Sequence, residues 1–262
     1  MIESLVINNS NNVGLDTFVE YPDEKNNERL AVLCPGYLDS KDYPHLVELS
    51  KTLAEEGFTV VRFDPSGTWM SGGKIEDYSI SQYLSDIKYV INFLVARKTF
   101  KNVVLLGHSL GGMVSLIYSA RDQRISEVVA IMAPYAFIRP NNLKIKGIGD
   151  GYKISKREIP GDPINKREFK VPYSMVEDSK KFDLLNIIHN IHIPLIFVAS
   201  DEDGVVPVGD TMCIFDAANQ PKKFILIKNV GHNYRRSKMD IKKVNKEIVE
   251  AINPPLNNTL VR

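Results

Sequence analysis

Six short runs, apolar at nearly every position and bounded by Gly, Pro, Asp or Asn, recur along the chain between longer segments of a different period. They are Leu30 to Cys34, Thr59 to Phe63, Val103 to Leu106, Val128 to Met132, Leu195 to Ala199 and Phe224 to Ile227. A strand with one wet face alternates apolar and polar side chains, so runs like these belong to strands covered on both faces. The segments between them carry apolar residues every three or four positions, the spacing of a helix with one buried stripe. In Ile80 to Val95 the stripe is Ile80, Tyr83, Leu84, Ile87, Val90, Ile91 and Leu94, and Leu46 to Glu56, Leu110 to Ala120, Thr211 to Ala218 and Ile241 to Ile252 read similarly. Strand and helix in alternation predict an α/β fold: a mostly parallel, doubly wound sheet with right-handed crossovers and helices on both faces.

Two regions depart from this rhythm. Leu5 to Ile7 and Leu15 to Glu20 are partly alternating segments around an Asn-rich turn and Gly14, which predicts an antiparallel opening hairpin. From about Tyr135 to Asn186 no buried strand is evident, and Gly, Pro and Lys are frequent. That is too long for an ordinary connection, so the segment is expected to be a lid or a disordered insertion. Tyr152, Phe169 and Tyr173 favour a lid packed on something, and with Tyr135 and Phe137 they are candidates to line a pocket beneath it. The expected division is thus a core of 1–134 and 187–262 with an insertion of 135–186, and 262 residues suffice for one such unit.

Charge excludes some partners. The formal net charge of +1, from 33 basic and 32 acidic residues, gives no global field for nucleic acid or an anionic membrane. The near-zero sum conceals an excess of +5 between 137 and 170 against −4 over the rest of the chain. A solvated lid face explains that excess more simply than steering of an anionic substrate. No apolar run approaches the roughly 20 residues that span a bilayer, and the N-terminus turns polar too soon for a signal peptide. Two cysteines, Cys34 and Cys213, allow at most one disulfide. The expectation is a cytoplasmic monomer or homodimer with neither nucleic-acid binding nor membrane insertion.

The chemistry is concentrated in Gly107-His108-Ser109-Leu110-Gly111-Gly112, placed directly between a predicted strand and a predicted helix. A serine on so sharp a turn needs neighbours with almost no side chain, and glycines at 107 and 111 meet that need. The turn lifts Ser109 to the C-terminal edge of the sheet, where ligands bind in such folds. A serine hydroxyl also needs a base. Of the five histidines, His108 lies inside the turn and should point away, His45 precedes a helix, and His189 and His192 precede a strand. His192 and His189 lack the helix that a metal pair at that spacing needs, since Pro194 follows, so no metal is expected. His232, in the loop after the last predicted strand, reaches the same sheet edge as Ser109. An acid to orient it belongs in the loop Ser200 to Pro207, where Asp201, Glu202 and Asp203 compete and chain order alone does not choose. Two N–H donors for an oxyanion are expected from Leu110 and, in the loop after the first parallel strand, from Tyr37, because Pro35 has no N–H. Cys34, beside that loop, reads as a small buried residue ending a strand.

Together these residues resemble the α/β-hydrolase superfamily over nearly the whole chain apart from 135–186. Pro35-Gly36-Tyr37 is similar to the family's oxyanion loop, Asp64 to Gly73 to its Asp-x-x-Gly-x-Gly-x-Ser loop, Gly107 to Gly112 to its nucleophile elbow and Gly231-His232 to its histidine loop. Aligned on Pro194 and Pro207, the resemblance puts the acid at Asp203. The departures are Pro35 for His, Ser200 for Gly, and Thr68 and Trp69 for His and Gly, with Trp69 expected beside the pocket. The insertion falls where the family carries its cap, and a short cap resembles those of cinnamoyl or feruloyl esterases and monoacylglycerol lipases.

What the resemblance implies is a serine hydrolase acting without a cofactor on a small-molecule carboxylic ester with an aromatic or medium-length acyl group. Ser109, Asp203 and His232 would be catalytic, Tyr37 and Leu110 would form the oxyanion hole, and Tyr37, Trp69, Tyr135 and Phe137 would contact substrate. The same apparatus serves peptidases, amidases, thioesterases, perhydrolases and carbon–carbon hydrolases, and a slow-turnover sensor is a further alternative.

Overall fold

The order β1-β2-β4-β3-β5-β6-β9-β10 describes one eight-stranded sheet, parallel except for β1 and β2, in a computed structural model that describes residues 1–23, 28–138 and 151–252. Its strands are β1 (Ile2–Asn8), β2 (Gly14–Glu20), β3 (Arg29–Cys34), β4 (Thr59–Phe63), β5 (Asn102–His108), β6 (Ile125–Ile131), β9 (Leu195–Ser200) and β10 (Lys222–Ile227). The six apolar runs are the six parallel strands, and the opening hairpin pairs as expected, with Leu5 opposite Thr17. The last residue of the predicted Val128–Met132 run is absent from β6 because the chain turns at Met132, whose φ is 49°, and β6 instead begins earlier, at Ile125.

Side-chain alternation divides the core into two. Leu30, Val32 and Cys34 of β3 pack with one face, against α2 (Ile80–Arg97) and α3 (Leu110–Ser119). Ala31 and Leu33 pack with the other, against α1 (Pro44–Glu55) and α7 (Lys238–Ile252). With a period of two and a helix layer on each side, every position from Leu30 to Cys34 is buried, so the run shows no polar alternation. The chain runs from β3 to β4 on one side and then returns past β3 to β5 on the other. That reversal opens a crevice at the C-terminal ends of β3 and β5, where a doubly wound sheet binds its ligand.

The loops at that edge are tied by buried charge. Lys41, 1% exposed, lies 2.7 Å from Asp16, 2.6 Å from Asp42 and 3.8 Å from Asp64, so it joins the opening hairpin to the loops after β3 and β4. Burial pushes the Asp64 carboxyl up to about 6 against the pull of Lys41. Asp86 on α2 holds the next turn by accepting from the Ser66 N–H (2.8 Å) and hydroxyl (2.8 Å).

The segment expected to be a lid or disordered contains strands. β7 (Tyr152–Ile159) and β8 (Asp162–Pro172) form a separate antiparallel hairpin, followed by α4 (Ser174–Ser179) and α5 (Leu184–Ile187). Few of its side chains are buried, Ser155, Phe169 and Val171 among them, so no apolar run announces it. The signal that was present is the turn at Pro160-Gly161, with Gly161 at φ 78°, between stretches of Lys, Arg and Ile. The Gly147-Ile148-Gly149-Asp150 run and the basic residues Arg139, Lys144 and Lys146 lie outside the described residues.

Backbone crowding at the sheet edge yields a stability test. A Cβ on Gly111 would stand 2.0 Å from the Cys34 carbonyl oxygen, whereas one on Gly209, in α6 (Val208–Ala217), would meet nothing within 4 Å. Gly111→Ala should therefore lose about 3 kcal/mol or more of unfolding free energy. Gly209→Ala should gain up to about 1 kcal/mol from helix propensity. Urea midpoints at constant m-value would measure both, and a Gly111→Ala protein of wild-type stability would contradict the crowding.

Candidate active site

The strand-to-helix turn places Ser109 at φ 54° and ψ −121°, a conformation that residues with a Cβ avoid. The turn can form because its neighbours have no side chain: a Cβ on Gly107 would meet the Gly111 carbonyl at 2.2 Å. The Ser109 N–H donates to Ile131 O at 2.8 Å, which fastens the turn to β6. Its hydroxyl consequently projects at the open end of the sheet.

His232 comes from the loop after β10 and Asp203 from the loop after β9. His232 Nε2 lies 3.0 Å from Ser109 Oγ, and His232 Nδ1 lies 2.7 Å from Asp203 Oδ2. The other oxygen of Asp203 accepts from the N–H groups of Val205 (2.8 Å) and Val206 (2.7 Å), so the carboxylate is fully committed and aimed. The two loops are joined by the Ser200 hydroxyl, which donates to the Val230 carbonyl. Asp201 instead accepts from the Asn229 N–H at 2.7 Å, and Glu202 is exposed, so of the three acids only Asp203 meets the imidazole.

Across the crevice lies the loop after β3. Tyr37 and Leu110 line, with Ser109, a cavity of about 790 Å³ whose walls include Phe137, Ile154, Met175 and Val206. Phe137 thus lines the same cavity as Ser109, and its ring is 5.5 Å from that of Tyr37. Tyr135 lines a smaller adjoining cavity of about 280 Å³. Trp69 is among the lining residues of neither. Its indole is buried between the rings of Tyr43 (5.8 Å) and Phe169 (5.4 Å), and its Nε1 donates to Leu38 O at 3.0 Å. The expected contact of Trp69 with substrate is replaced by support of the loop that carries Tyr37. Pro35, the departure from His, receives the Tyr83 hydroxyl on its carbonyl at 2.8 Å.

The sequence profile of a family described as alpha/beta hydrolase fold matches residues 31–152. DcsB, solved in complex with its substrate analogue, superposes with a TM-score of 0.80 at 17% identity, covering 96% of this chain and 99% of that chain. The chain has the alpha/beta hydrolase fold. Est1E from Butyrivibrio proteoclasticus, with ferulic acid bound, gives a TM-score of 0.74 at 19% identity over 95% of this chain and 99% of its own. In sequence, the fold's relatives include the mitochondrial palmitoyl-protein thioesterase ABHD10 of Homo sapiens, 22% identical over 80% of this chain and 68% of that protein. The human serine hydrolase BPHL is 27% identical over 72% of this chain and 68% of its own.

This hydrolase fold also holds a buried group that sequence reading missed. Donor atoms of Asp39, His45 and His108 all lie within 4.8 Å of one another, the one such group among the described residues. The His108 ring packs 4.7 Å from that of His232 and 5.1 Å from that of His45. His45 lies within the first turn of α1, 1% exposed. A dication here would face the charge of Arg235, which is felt at both Asp39 and His45, and would oppose any positive charge on His232. Burial, then the neighbouring His108, lowers His45 well below its ordinary 6.5, and burial lowers His108. Burial alone would raise Asp39, but His108, His45 and Arg235 together outweigh it and hold the carboxyl low.

These shifts set the acid limb of stability. A histidine depressed in the folded state binds its proton more readily when unfolded, so stability is lost as pH falls below 6.5. Asp39 adds a loss only below the ordinary carboxylate range, since its folded form is the more acidic. Between pH 7 and pH 5 the urea midpoint should fall, and His45→Phe, which keeps a ring, should remove up to about 2 kcal/mol of that loss. An identical pH slope in the variant would show that His45 is not held neutral.

Proposed function

We propose that the protein is a serine-dependent hydrolase of carboxylic esters or thioesters carrying an apolar acyl group, working through an acyl-enzyme. The observation that carries the reading is the unbroken chain from Asp203 through His232 to Ser109 Oγ, at the wall of an apolar cavity. His232 Nε2 takes the Ser109 proton as Oγ attacks the acyl carbon, while Asp203 holds the ring in the tautomer with its proton on Nδ1. The N–H groups of Tyr37 and Leu110 receive the developing oxyanion. Collapse of the tetrahedral adduct expels the alkoxide or thiolate, which leaves with the proton from His232. A water deprotonated by the same ring then releases the acid. Every proton is returned within the cycle, so the steps call on no cofactor.

Supporting an apolar acyl group are the cavity walls, Phe137, Ile154, Met175 and Val206. An aromatic acyl group gains support from the likeness to a structure holding ferulic acid, and a thioester from the likeness to a palmitoyl-protein thioesterase. We assign 135–186 to a cap over the site. Cys34 and Cys213 are free thiols, which fits action in a reducing compartment such as the cytoplasm. No described helix is long and apolar enough to cross a membrane.

A fluorophosphonate probe should label the wild-type protein and fail to label Ser109→Ala, and Asp203→Asn should lower kcat by about 10⁴ by favouring the wrong tautomer. Labelling that survives Ser109→Ala would overturn the reading. Matched p-nitrophenyl esters, thioesters and anilides of benzoate, cinnamate, butyrate and octanoate should show turnover of the first two classes. Stoichiometric acylation without turnover across the whole panel would make the protein a sensor instead.

A further inference from the structure

One side chain of the hairpin β7–β8 reaches the backbone of Tyr37 in the loop after β3. Arg157 donates from Nε (3.2 Å) and Nη2 (3.0 Å) to the Tyr37 carbonyl, and its guanidinium stands 5.4 Å from the centre of the Tyr37 ring. The N–H of that peptide, on Leu38, donates to the Tyr78 hydroxyl at 3.2 Å, and the carbonyl of the next peptide, on Leu38, accepts from Trp69 Nε1 at 3.0 Å. The grips oppose a strain. Leu38 has φ 54°, a left-handed conformation disfavoured for a residue with a branched side chain. Relaxation of Leu38 rotates the Tyr37–Leu38 peptide plane, which turns the Tyr37 carbonyl and carries the Tyr37 backbone with it.

We propose that Arg157 is a positioning residue for the oxyanion hole: it pins the Tyr37 carbonyl so that the Tyr37 N–H points at the oxyanion, and the hole is complete only while the hairpin is docked. The inference rests on the reading of Tyr37 N–H as an oxyanion donor. Two donors converging from a planar guanidinium restrain direction as well as distance, which one lysine ammonium does not. Direction matters because the donor's contribution depends on its aim at the oxyanion, and small misplacements cost large factors in rate. The hairpin's other contacts near this peptide are made to side chains: Ser155 Oγ lies 3.5 Å from the Tyr37 hydroxyl, and Phe169 and Arg167 pack on the Trp69 ring. Glu158 pairs with Arg235 at 3.5 Å and with Arg236, and its carbonyl accepts from Tyr43 at 2.8 Å. Those contacts dock the hairpin, whereas Arg157 transmits docking to the reacting atoms.

The test compares Arg157→Met, Arg157→Lys and Glu158→Gln, with urea midpoints recorded for each. For each, kcat and KM are measured on a p-nitrophenyl ester, together with the affinity of a trifluoromethyl ketone, which forms an oxyanion on Ser109, and of the product carboxylic acid, which does not. Arg157→Met should lower kcat and ketone affinity by the same factor, about tenfold or more, with KM and acid affinity nearly unchanged. Arg157→Lys should fall between it and wild type, and remains informative if the methionine variant does not fold. Glu158→Gln, which loosens docking, should lower the urea midpoint and should lower kcat and ketone affinity together by a smaller factor than Arg157→Met does. Unchanged kcat and ketone affinity in Arg157→Met and Arg157→Lys would overturn the inference, as would a loss of kcat with ketone affinity intact. Activity that survives Ser109→Ala would instead remove the functional reading on which it rests.

Discussion

Everything at the C-terminal edge of the sheet depends on how closely three pieces of backbone approach one another there. Gly111, at the start of α3, lies so near the end of β3 that a methyl group in place of its hydrogen would stand 2.0 Å from the Cys34 carbonyl. Gly107 is equally close to Gly111. With the helix pressed onto the strands, the chain between them has room for a single residue, and that residue is forced to a positive φ. The strain at Ser109 is thus a consequence of helix-on-sheet packing, and the packed core of α2 and α3 against β3 and β5 is what sustains it. A side chain on such a turn cannot fold back into the core. It stands where the loops after β3, β9 and β10 arrive, since parallel strands bring all their C-terminal loops to one edge.

That dependence explains why so much was legible in the residues alone. Parallel strands covered on both faces leave an apolar run, and a turn that admits no side chain leaves glycines, so the six strands and the bend at Ser109 follow from local composition. His232 could be singled out because a loop after the last strand must reach the same edge. The acid could not be chosen in this way. Asp201, Glu202 and Asp203 occupy consecutive positions, and what separates them is the orientation of one carboxylate, fixed by the Val205 and Val206 N–H groups. Loop hydrogen bonds of that kind leave no periodic trace. Resemblance supplied the choice of Asp203, and geometry places that residue, and neither neighbour, against the imidazole. His45 and His108 were hidden for a related reason. They lie in different elements, and only the fold stacks them into one neutral cluster beneath His232.

The hairpin escaped because it is stabilised by a different currency from the core. Its strands bury little apolar surface and fasten themselves with polar contacts to the loops below, so hydrophobic patterning has nothing to detect. Its basic residues carry much of the charge excess between 137 and 170, and two of them have specific work. The positive-φ turns at Leu38 and Trp69 direct backbone carbonyls away from regular sheet or helix partners. Arg157 donates to the carbonyl of Tyr37, and Arg167 donates to that of Trp69 at 2.6 Å while its guanidinium lies 5.1 Å from the Phe169 ring.

A buried carbonyl without a donor costs as much as a lost hydrogen bond, and arginine supplies several donors from one side chain that can reach across a crevice. The strained loops of the core and the arginines of the hairpin are therefore complementary, each answering a need the other creates. This changes what the charge excess means. Arg157 and Arg167 direct donors at the protein's own backbone, and although Lys153 and Arg157 also border the cavity, most of its walls are apolar side chains such as Phe137, Met175 and Val206. A basic segment over an active site suggests an anionic substrate only if its charges face the ligand. Here two of the guanidiniums donate to the loops that border the site, and the space beside Ser109 is walled mostly by apolar side chains.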